Sequence, residues 1–326
     1  MKTLRRILVA IKTPGARSQP ALRKAAQLAL GSGAKLQLFH AIDTPLYQDA
    51  YAMHGKSLQQ TQREWRERVF TQLEKLAAPL RREGLNIEVD SDWDYPAYEA
   101  VVRAALHGGA DLIVAERHAT RHILPSLLRF NDWELLRRSP MPVLLVKRGG
   151  LWRRPVVIGA IDPAHSFAKP AKLDAAILAA TSLMAQTLDG KVHVVHASLP
   201  SLAPSARLSV FSPETVVELD DRIRRSARTA FEEALQKSGV DGVRKHFIEG
   251  HPVDVIRKLA RKQHAGIVVM GAVSRSGLKR LVIGNVAEQV LDALPCDVLV
   301  IKPADFKPRV AVRTRGVQLI PTPAYV

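Results

Sequence analysis

Short runs of valine, isoleucine and leucine alternate along this chain with longer segments in which apolar residues recur at helical spacing. Uninterrupted apolar runs are typical of strands that are buried on both faces of a parallel sheet. The alternation of such strands with helices predicts successive βαβ units. The pattern therefore predicts an α/β fold in which helices cover both faces of a parallel sheet.

The pattern predicts two similar sets of elements, each with five strands and four helices. The first set has predicted strands at 6–11, 35–41, 86–90, 111–115 and 142–146, and helices at 18–30, 59–83, 97–107 and 129–138. The second set has predicted strands at 155–161, 191–197, 243–248, 266–270 and 297–301, and helices at 171–187, 213–237, 252–263 and 284–293. Each set fits one doubly wound, five-stranded parallel sheet.

The two sets are copies of one unit. The opening strand of residues 7–12 (ILVAIK) recurs as 157–162 (VIGAID), 150 positions later, and the closing strand of 140–147 recurs as 295–302, 155 positions later. Solenoid repeats are much shorter, so this spacing indicates duplication of a whole domain. We predict domains at 1–150 and 151–304, and a basic C-terminal tail at 305–326.

Composition agrees with this organisation and predicts a cytoplasmic protein. The 326 residues divide into about two domains of ordinary size. No apolar stretch approaches the roughly 18 to 20 residues of a membrane helix, and the N-terminal residues lead into a strand without a secretory signal. The single Cys296 cannot form an internal disulfide and is predicted to be a core residue.

The net charge of +17 is the unusual feature of the composition, because small domains usually carry a charge of about 2 to 8. It points to anionic partners. The basic residues are nevertheless dispersed beside acids, as in 63–68 and 222–225, which is typical of solvated helix faces. A separate basic cluster at 307–315 is predicted to be extended or mobile. Both interpretations of the charge stay open.

The loop after the fourth strand of the second copy is the strongest candidate site. Ligands of open parallel sheets bind beyond the carboxyl ends of the strands. This loop contains Gly271, Ser274 and Gly284 and leads into a helix that begins near Asn285 and Val286. Glycines let the backbone approach an anion, and the first N–H groups of a helix carry partial positive charge. The glycines could equally serve tight turns.

These residues resemble a known family, the universal stress proteins. Gly271 and Gly284 match the outer glycines of the family signature, which is Gly, two residues, Gly, nine residues, Gly, then Ser or Thr. The strand-terminal Asp162, the turn at 250–252 and the closing strand at 294–300 agree with it. The resemblance spans about residues 5 to 303 and implies a tandem, E-type universal stress protein with two Rossmann-like domains.

The resemblance implies a nucleotide pocket in the second domain. Asp162 would contact the base or ribose, Ala197 would lie near the base, and Gly271, Ser274, Gly284, Asn285 and Val286 would surround the phosphates. Ser274 stands where the family has its middle glycine, and a residue with a Cβ strains a positive-φ turn by about 1 kcal/mol or more. Asn285 replaces a hydroxyl, so it retains capping ability but loses the hydroxyl contact. A strand-end aspartate is otherwise typical of turns and caps.

The first copy departs further from the family pattern. Lys12 occupies the position of Asp162, residues 94–96 (DYP) replace the glycine turn, and Glu116 would repel phosphate. Asn131 or Asp132 is predicted to cap the helix that follows. We expect a half that is structural or binds a different ligand, which resembles the degenerate half of E-type members.

No catalytic or metal site is predicted. His118 and His122 could share one helical face, but no third ligand or catalytic carboxylate accompanies them. His193 and His196 lie along a core-like strand. Walker A, nucleophile-elbow and paired-cysteine motifs are absent from the sequence.

The leading hypothesis is therefore a non-enzymatic stress-response protein that requires no cofactor. Its second domain would bind ATP, ADP or AMP, or another phosphorylated ligand such as a bulkier acylated or sugar-linked nucleotide. The resemblance implies a homodimer, and it implies that the last strands, 143–146 and 298–301, contribute to domain pairing or dimerisation. One alternative is a module that binds nucleic acid or another polyanion through its tail. Another is a weak ATPase, for which the sequence identifies neither a metal site nor a water-positioning group.

Overall fold

A computed structural model describes residues 3–44, 46–47, 58–117, 130–164, 173–199, 213–271, 285–307, 310–316 and 319–320. The chain forms two compact units. The first unit comprises Thr3–Leu151 and, from the other end of the chain, Lys307–Val326. The second unit is formed chiefly by Trp152–Phe306. The C-terminal segment therefore packs with the first unit, although it follows the second in sequence.

The elements confirm the α/β fold class that the hydrophobic pattern predicts. The strands are β1 Arg6–Ala10, β2 Lys35–Ile42, β3 Leu46–Tyr47, β4 Ile87–Trp93, β5 Leu112–Glu116, β6 Val143–Val146, β7 Val156–Ala160, β8 Lys191–Ser198, β9 Arg244–Glu249, β10 Ile267–Gly271, β11 Asp297–Ile301 and β12 Leu319–Ile320. The helices are α1 Pro20–Ser32, α2 Leu58–Arg82, α3 Ala97–His107, α4 Phe130–Arg138, α5 Leu173–Thr187, α6 Pro213–Ser238, α7 Pro252–Lys262 and α8 Asn285–Ala293.

The first unit contains a parallel sheet in the order β4-β2-β1-β5-β6. Its central strand β1 places Ile7 opposite Leu36 on one side and Leu112 on the other. All three side chains are fully buried, which explains why these strands read as continuous apolar runs. Helix α1 ends at Gly33, whose left-handed φ of 72° favours glycine.

The second unit repeats this sheet in the order β11-β10-β7-β8-β9, again with parallel pairing. Strand β7 is central and pairs Val157 with Val192 of β8 and with Ile267 of β10. The chain moves outward from β7 in one direction and then crosses to its other side. This reversal of strand order creates a crevice at the carboxyl end of β7, where ligands of doubly wound sheets bind.

Two short strands and the C-terminal segment add to the first unit. Leu319 and Ile320 of β12 pair in parallel with Leu46 and Tyr47 of β3. No hydrophobic pattern in the sequence predicts either strand, and the basic tail was expected to be extended or mobile. Among the described residues, no helix is long and apolar enough to cross a membrane.

Candidate functional site

The strand register of the second unit brings three predicted site residues to one edge of the sheet. Asp162 follows β7, Gly271 ends β10, and Ala197 lies in the final part of β8, which extends one residue beyond it. The pairing of Met270 with Ala160, and the hydrogen bond from Ile161 N to the Val195 carbonyl at 3.0 Å, fix these strand ends beside one another. The three residues therefore surround the predicted crevice.

Asp162 is the most distinctive side chain at this edge. It is only 6% exposed, and neither of its carboxylate oxygens has a hydrogen-bond partner among the described residues. Its backbone N–H donates to Asp174 Oδ1 at 3.1 Å, which fixes its position over the start of α5. A buried carboxylate without donors is costly. The arrangement therefore favours a ligand that donates hydrogen bonds to Asp162.

His196 lies beside Asp162 and was assigned only to the core by the sequence analysis. Its Nδ1 is 3.8 Å from Asp162 Oδ1 and 3.2 Å from the Ile161 carbonyl oxygen. The ring is 1% exposed, and its centroid is 6.1 Å from that of Phe231 and 5.4 Å from that of Phe247. The imidazole of His196 is therefore close to the Asp162 carboxylate and packs against two phenylalanine rings in the core.

The first unit repeats the histidine contact. His40 lies 156 positions before His196, and its Nδ1 is 2.7 Å from the carbonyl oxygen of Ile11. Burial lowers the pKa of His40, which favours the neutral imidazole. The recurrence of one histidine in both copies was the signal that could have identified His196 from the sequence.

Gly271 is explained by packing between β10 and α5. A Cβ at this position would lie 2.6 Å from Leu173 Cδ2 and 3.3 Å from Ile177 Cδ1. Leu173 is 1% exposed and Ile177 is fully buried, so neither side chain has room to move. The glycine therefore allows close approach of the helix to the strand. Its predicted contact with a phosphate stays a prediction.

The structure describes only two of the remaining predicted phosphate contacts. Ser274 and Gly284 lie outside the described residues, as do His118 and His122. Asn285 begins α8 and Val286 follows it, as the sequence predicted. The first N–H groups of α8 are therefore the described backbone donors of the predicted loop-to-helix junction.

A cavity opens between α5 and α6, close to Asp162 and Asp174. Its volume is about 270 Å³, and its lining includes Pro163, Asp174 and Leu178. Pro163, which follows Asp162, therefore lines this cavity. Among the residues that the structure describes, no group of three or more His, Cys, Asp or Glu side chains could hold a metal ion.

The equivalent edge of the first unit has different chemistry. Lys12 is exposed, and Asp94 is fully buried where the second unit has Gly250, which has a φ of 139°. Asp94 N donates to the Ile42 carbonyl at 3.2 Å, as Gly250 N does to that of Ser198 at 2.9 Å. The backbone turns thus correspond, whereas the first unit adds a carboxylate.

Comparison with known proteins identifies related sequences over nearly the whole chain. The model of the universal stress protein family matches residues 3–147 and again 160–302. Universal stress protein E of Escherichia coli strain K12 is 31% identical over 310 residues, which cover 92% of this chain and 95% of that protein. Universal stress protein E of Photorhabdus laumondii is 28% identical over 308 residues.

Solved structures show the same architecture. A putative universal stress protein from Pseudomonas aeruginosa UCBPP-PA14 is 26% identical, with a TM-score of 0.69 over 93% of this chain and 95% of that chain. A universal stress protein from Archaeoglobus fulgidus DSM 4304 is 18% identical, with a TM-score of 0.62 over 90% and 98% of the two chains. The second likeness supports the fold alone.

Proposed function

This chain belongs to the universal stress protein family, and we propose that it is a ligand-binding stress-response protein whose second unit binds an adenine nucleotide or another phosphorylated ligand. The observation that carries the proposal is the buried Asp162 carboxylate, whose oxygens have no hydrogen-bond donors among the described residues. It stands at the carboxyl end of the central strand, where doubly wound sheets bind their ligands.

The chemistry of this edge suggests how the ligand is oriented. Asp162 accepts hydrogen bonds and repels anions, so it would bind a ribose hydroxyl or a base N–H group. The phosphate would extend away from it, toward the N-terminus of α8 at Asn285. Ala197, in the final part of β8 at the same edge, would lie beside the base. The phosphate end of the ligand would therefore be bound by backbone N–H donors, and the ribose or base end by the negative charge of Asp162.

We propose binding without catalysis. The protein would exist in two packing arrangements, and the ligand would bind one of them more tightly. Binding would then shift the equilibrium toward that arrangement and so change partner binding, because a ligand with equal affinity for both arrangements leaves the equilibrium unchanged. Pairing through residues 143–146 and 298–301 stays a prediction. So does the alternative of polyanion binding by the tail, although Arg315 contacts the carboxylate of Glu99 in the structure. That contact leaves one tail arginine less available to a polyanion.

Mass spectrometry of ligands released from gently purified protein tests the proposal. We expect ATP, ADP, AMP or a related phosphorylated compound from the parent, and its loss from Asp162→Ala. Lys12→Ala is the matched control, because Lys12 holds the equivalent position in the first unit. The proposal would be contradicted if the parent released no ligand and did not bind added nucleotide. Equal ligand occupancy in the parent and Asp162→Ala would also contradict it.

A further inference from the structure

The C-terminal segment, of which the structure describes residues 310–316 and 319–320 here, crosses the carboxyl end of β4 in the first unit. Charged residues of the first unit bind it there. Arg315 N donates to Asp94 Oδ1 at 2.7 Å, and Arg315 Nη2 donates to Glu99 Oε1 at 3.0 Å. Arg103 Nη1 donates to the Ala311 carbonyl oxygen at 2.6 Å. Backbone and side-chain groups of the segment are thus recognised together.

The contacts continue along the segment. Beyond Arg315, β12 pairs with β3, which follows the carboxyl end of β2. The segment therefore passes the ends of two neighbouring strands, at the edge where parallel sheets bind ligands. It occupies the first-unit counterpart of the edge that carries Asp162 in the second unit.

The charged cluster is not required by the fold, because the second unit builds the same turn and helix without it. Asp94, Glu99 and Arg103 correspond, 156 positions later, to Gly250, Val255 and Leu259. Val255 and Leu259 are buried, and they pack the helix with apolar side chains. The first unit instead buries two carboxylates and a guanidinium at these positions. Removing these charged groups from water costs free energy, which other contacts must offset.

The balance of charge in the cluster explains the need for Arg315. Asp94 is fully buried, and Glu99 and Arg103 are 3% and 4% exposed. Arg103 forms ion pairs with both Asp94 and Glu99, so one cation faces two carboxylates. Arg315 brings the second guanidinium. Without the segment, the cluster would retain an uncompensated negative charge near the surface.

We propose that this edge of the first unit is a docking site for an extended, arginine-bearing peptide segment, and that residues 310–316 and 319–320 of the same chain occupy it. The cluster of Asp94, Glu99 and Arg103 recognises one arginine side chain and two backbone groups of the segment. The docked segment covers the strand ends of β2 and β4. This edge of the first unit is thereby covered by a later segment of the same chain, independently of any ligand of the second unit.

Hydrogen–deuterium exchange of the full chain, read by mass spectrometry over residues 310–320, tests the docking. Losing a hydrogen bond between charged groups should raise exchange in this segment about tenfold in Arg315→Ala. Glu99→Gln, which retains the shape of the side chain, should act in the same direction, and the two changes together should add little. Arg313→Ala is the matched control, because Arg313 is an exposed arginine in the same segment.

The peptide specificity is tested separately. A fluorescent peptide of residues 310–320 should bind full-length Arg315→Ala about tenfold more tightly than the parent, since the variant's own segment competes less well. The same peptide with alanine at position 315 should lose this gain. Equal exchange in the parent, Arg315→Ala and Arg313→Ala, or equal peptide binding by the parent and Arg315→Ala, would overturn the proposal.

Discussion

The stability of the second unit should fall as the pH is lowered from 6.5 toward 4, because of a histidine pair on β8 and β9 in which His193 is buried. His193 Nδ1 lies 3.2 Å from His246 Nε2, and His193 is 4% exposed. Burial, followed by the nearby His246, Arg244 and Lys191, lowers the pKa of His193 from 6.5 to about 4. Burial also lowers the pKa of His246.

The direction follows from proton uptake. The unfolded chain binds a proton on His193 below about pH 6.5, whereas the folded chain does so only near pH 4. The free energy of unfolding therefore falls between these values and is unaffected by this group at higher pH. The shift alone corresponds to about 3 kcal/mol. Solvent reaching the pair past the half-buried His246 reduces this to about 1–2 kcal/mol.

Urea denaturation at pH 7.5, 6.5, 5.5 and 5.0 measures the effect. The free energy of unfolding of the parent should decrease by about 1 kcal/mol more than that of His193→Asn across this range, because asparagine does not titrate. His107→Asn, which replaces an exposed histidine of the first unit, is the control and should follow the parent. Parallel pH profiles for the parent and His193→Asn would refute the reasoning.

Two further predictions concern packing and buried charge. Gly271→Ala should destabilise the second unit by about 1–3 kcal/mol, since its Cβ would overlap Leu173. Gly149→Ala is the control, because a Cβ there would meet nothing within 4 Å. Equal urea midpoints for the two variants would contradict the predicted steric overlap. Asp94→Ala should destabilise the first unit by about 1–3 kcal/mol, because it removes one of the two ion-pair partners of the buried Arg103. A thermal unfolding midpoint equal to that of Asp90→Ala, which replaces an exposed aspartate of the same unit, would show that the pair contributes little.

The central strands were predictable because each unit buries them on both faces. Ile7, Leu36 and Leu112 lie in continuous apolar runs, and helices of ordinary length separate these runs. The two-residue strands β3 and β12 carry no such pattern, because so short a strand has no periodicity. Their pairing depends on a contact between residues 46–47 and 319–320, which local sequence does not encode.

The candidate site was predictable only in part, for a related reason. Asp162 was predicted because the resemblance to the universal stress proteins places a ligand contact at the end of the first strand of the second copy. The docking of Arg315 on Asp94 joins residues 221 positions apart, so no local pattern announces it. Asp94 was noted only as part of the segment that replaces a glycine turn, and no sequence pattern distinguishes Glu99 or Arg103. Only the comparison of the two folded units shows that apolar residues stand in the same places in the second.

Calorimetric titration with ATP, ADP and AMP tests the central claim most directly. The account predicts that at least one nucleotide binds the parent and Lys12→Ala with equal affinity, and binds Asp162→Asn at least about tenfold more weakly, because the carboxylate loses its charge-assisted hydrogen bonds to the ligand. Unchanged affinity in Asp162→Asn, or loss of affinity in Lys12→Ala instead, would contradict a ligand site built around Asp162.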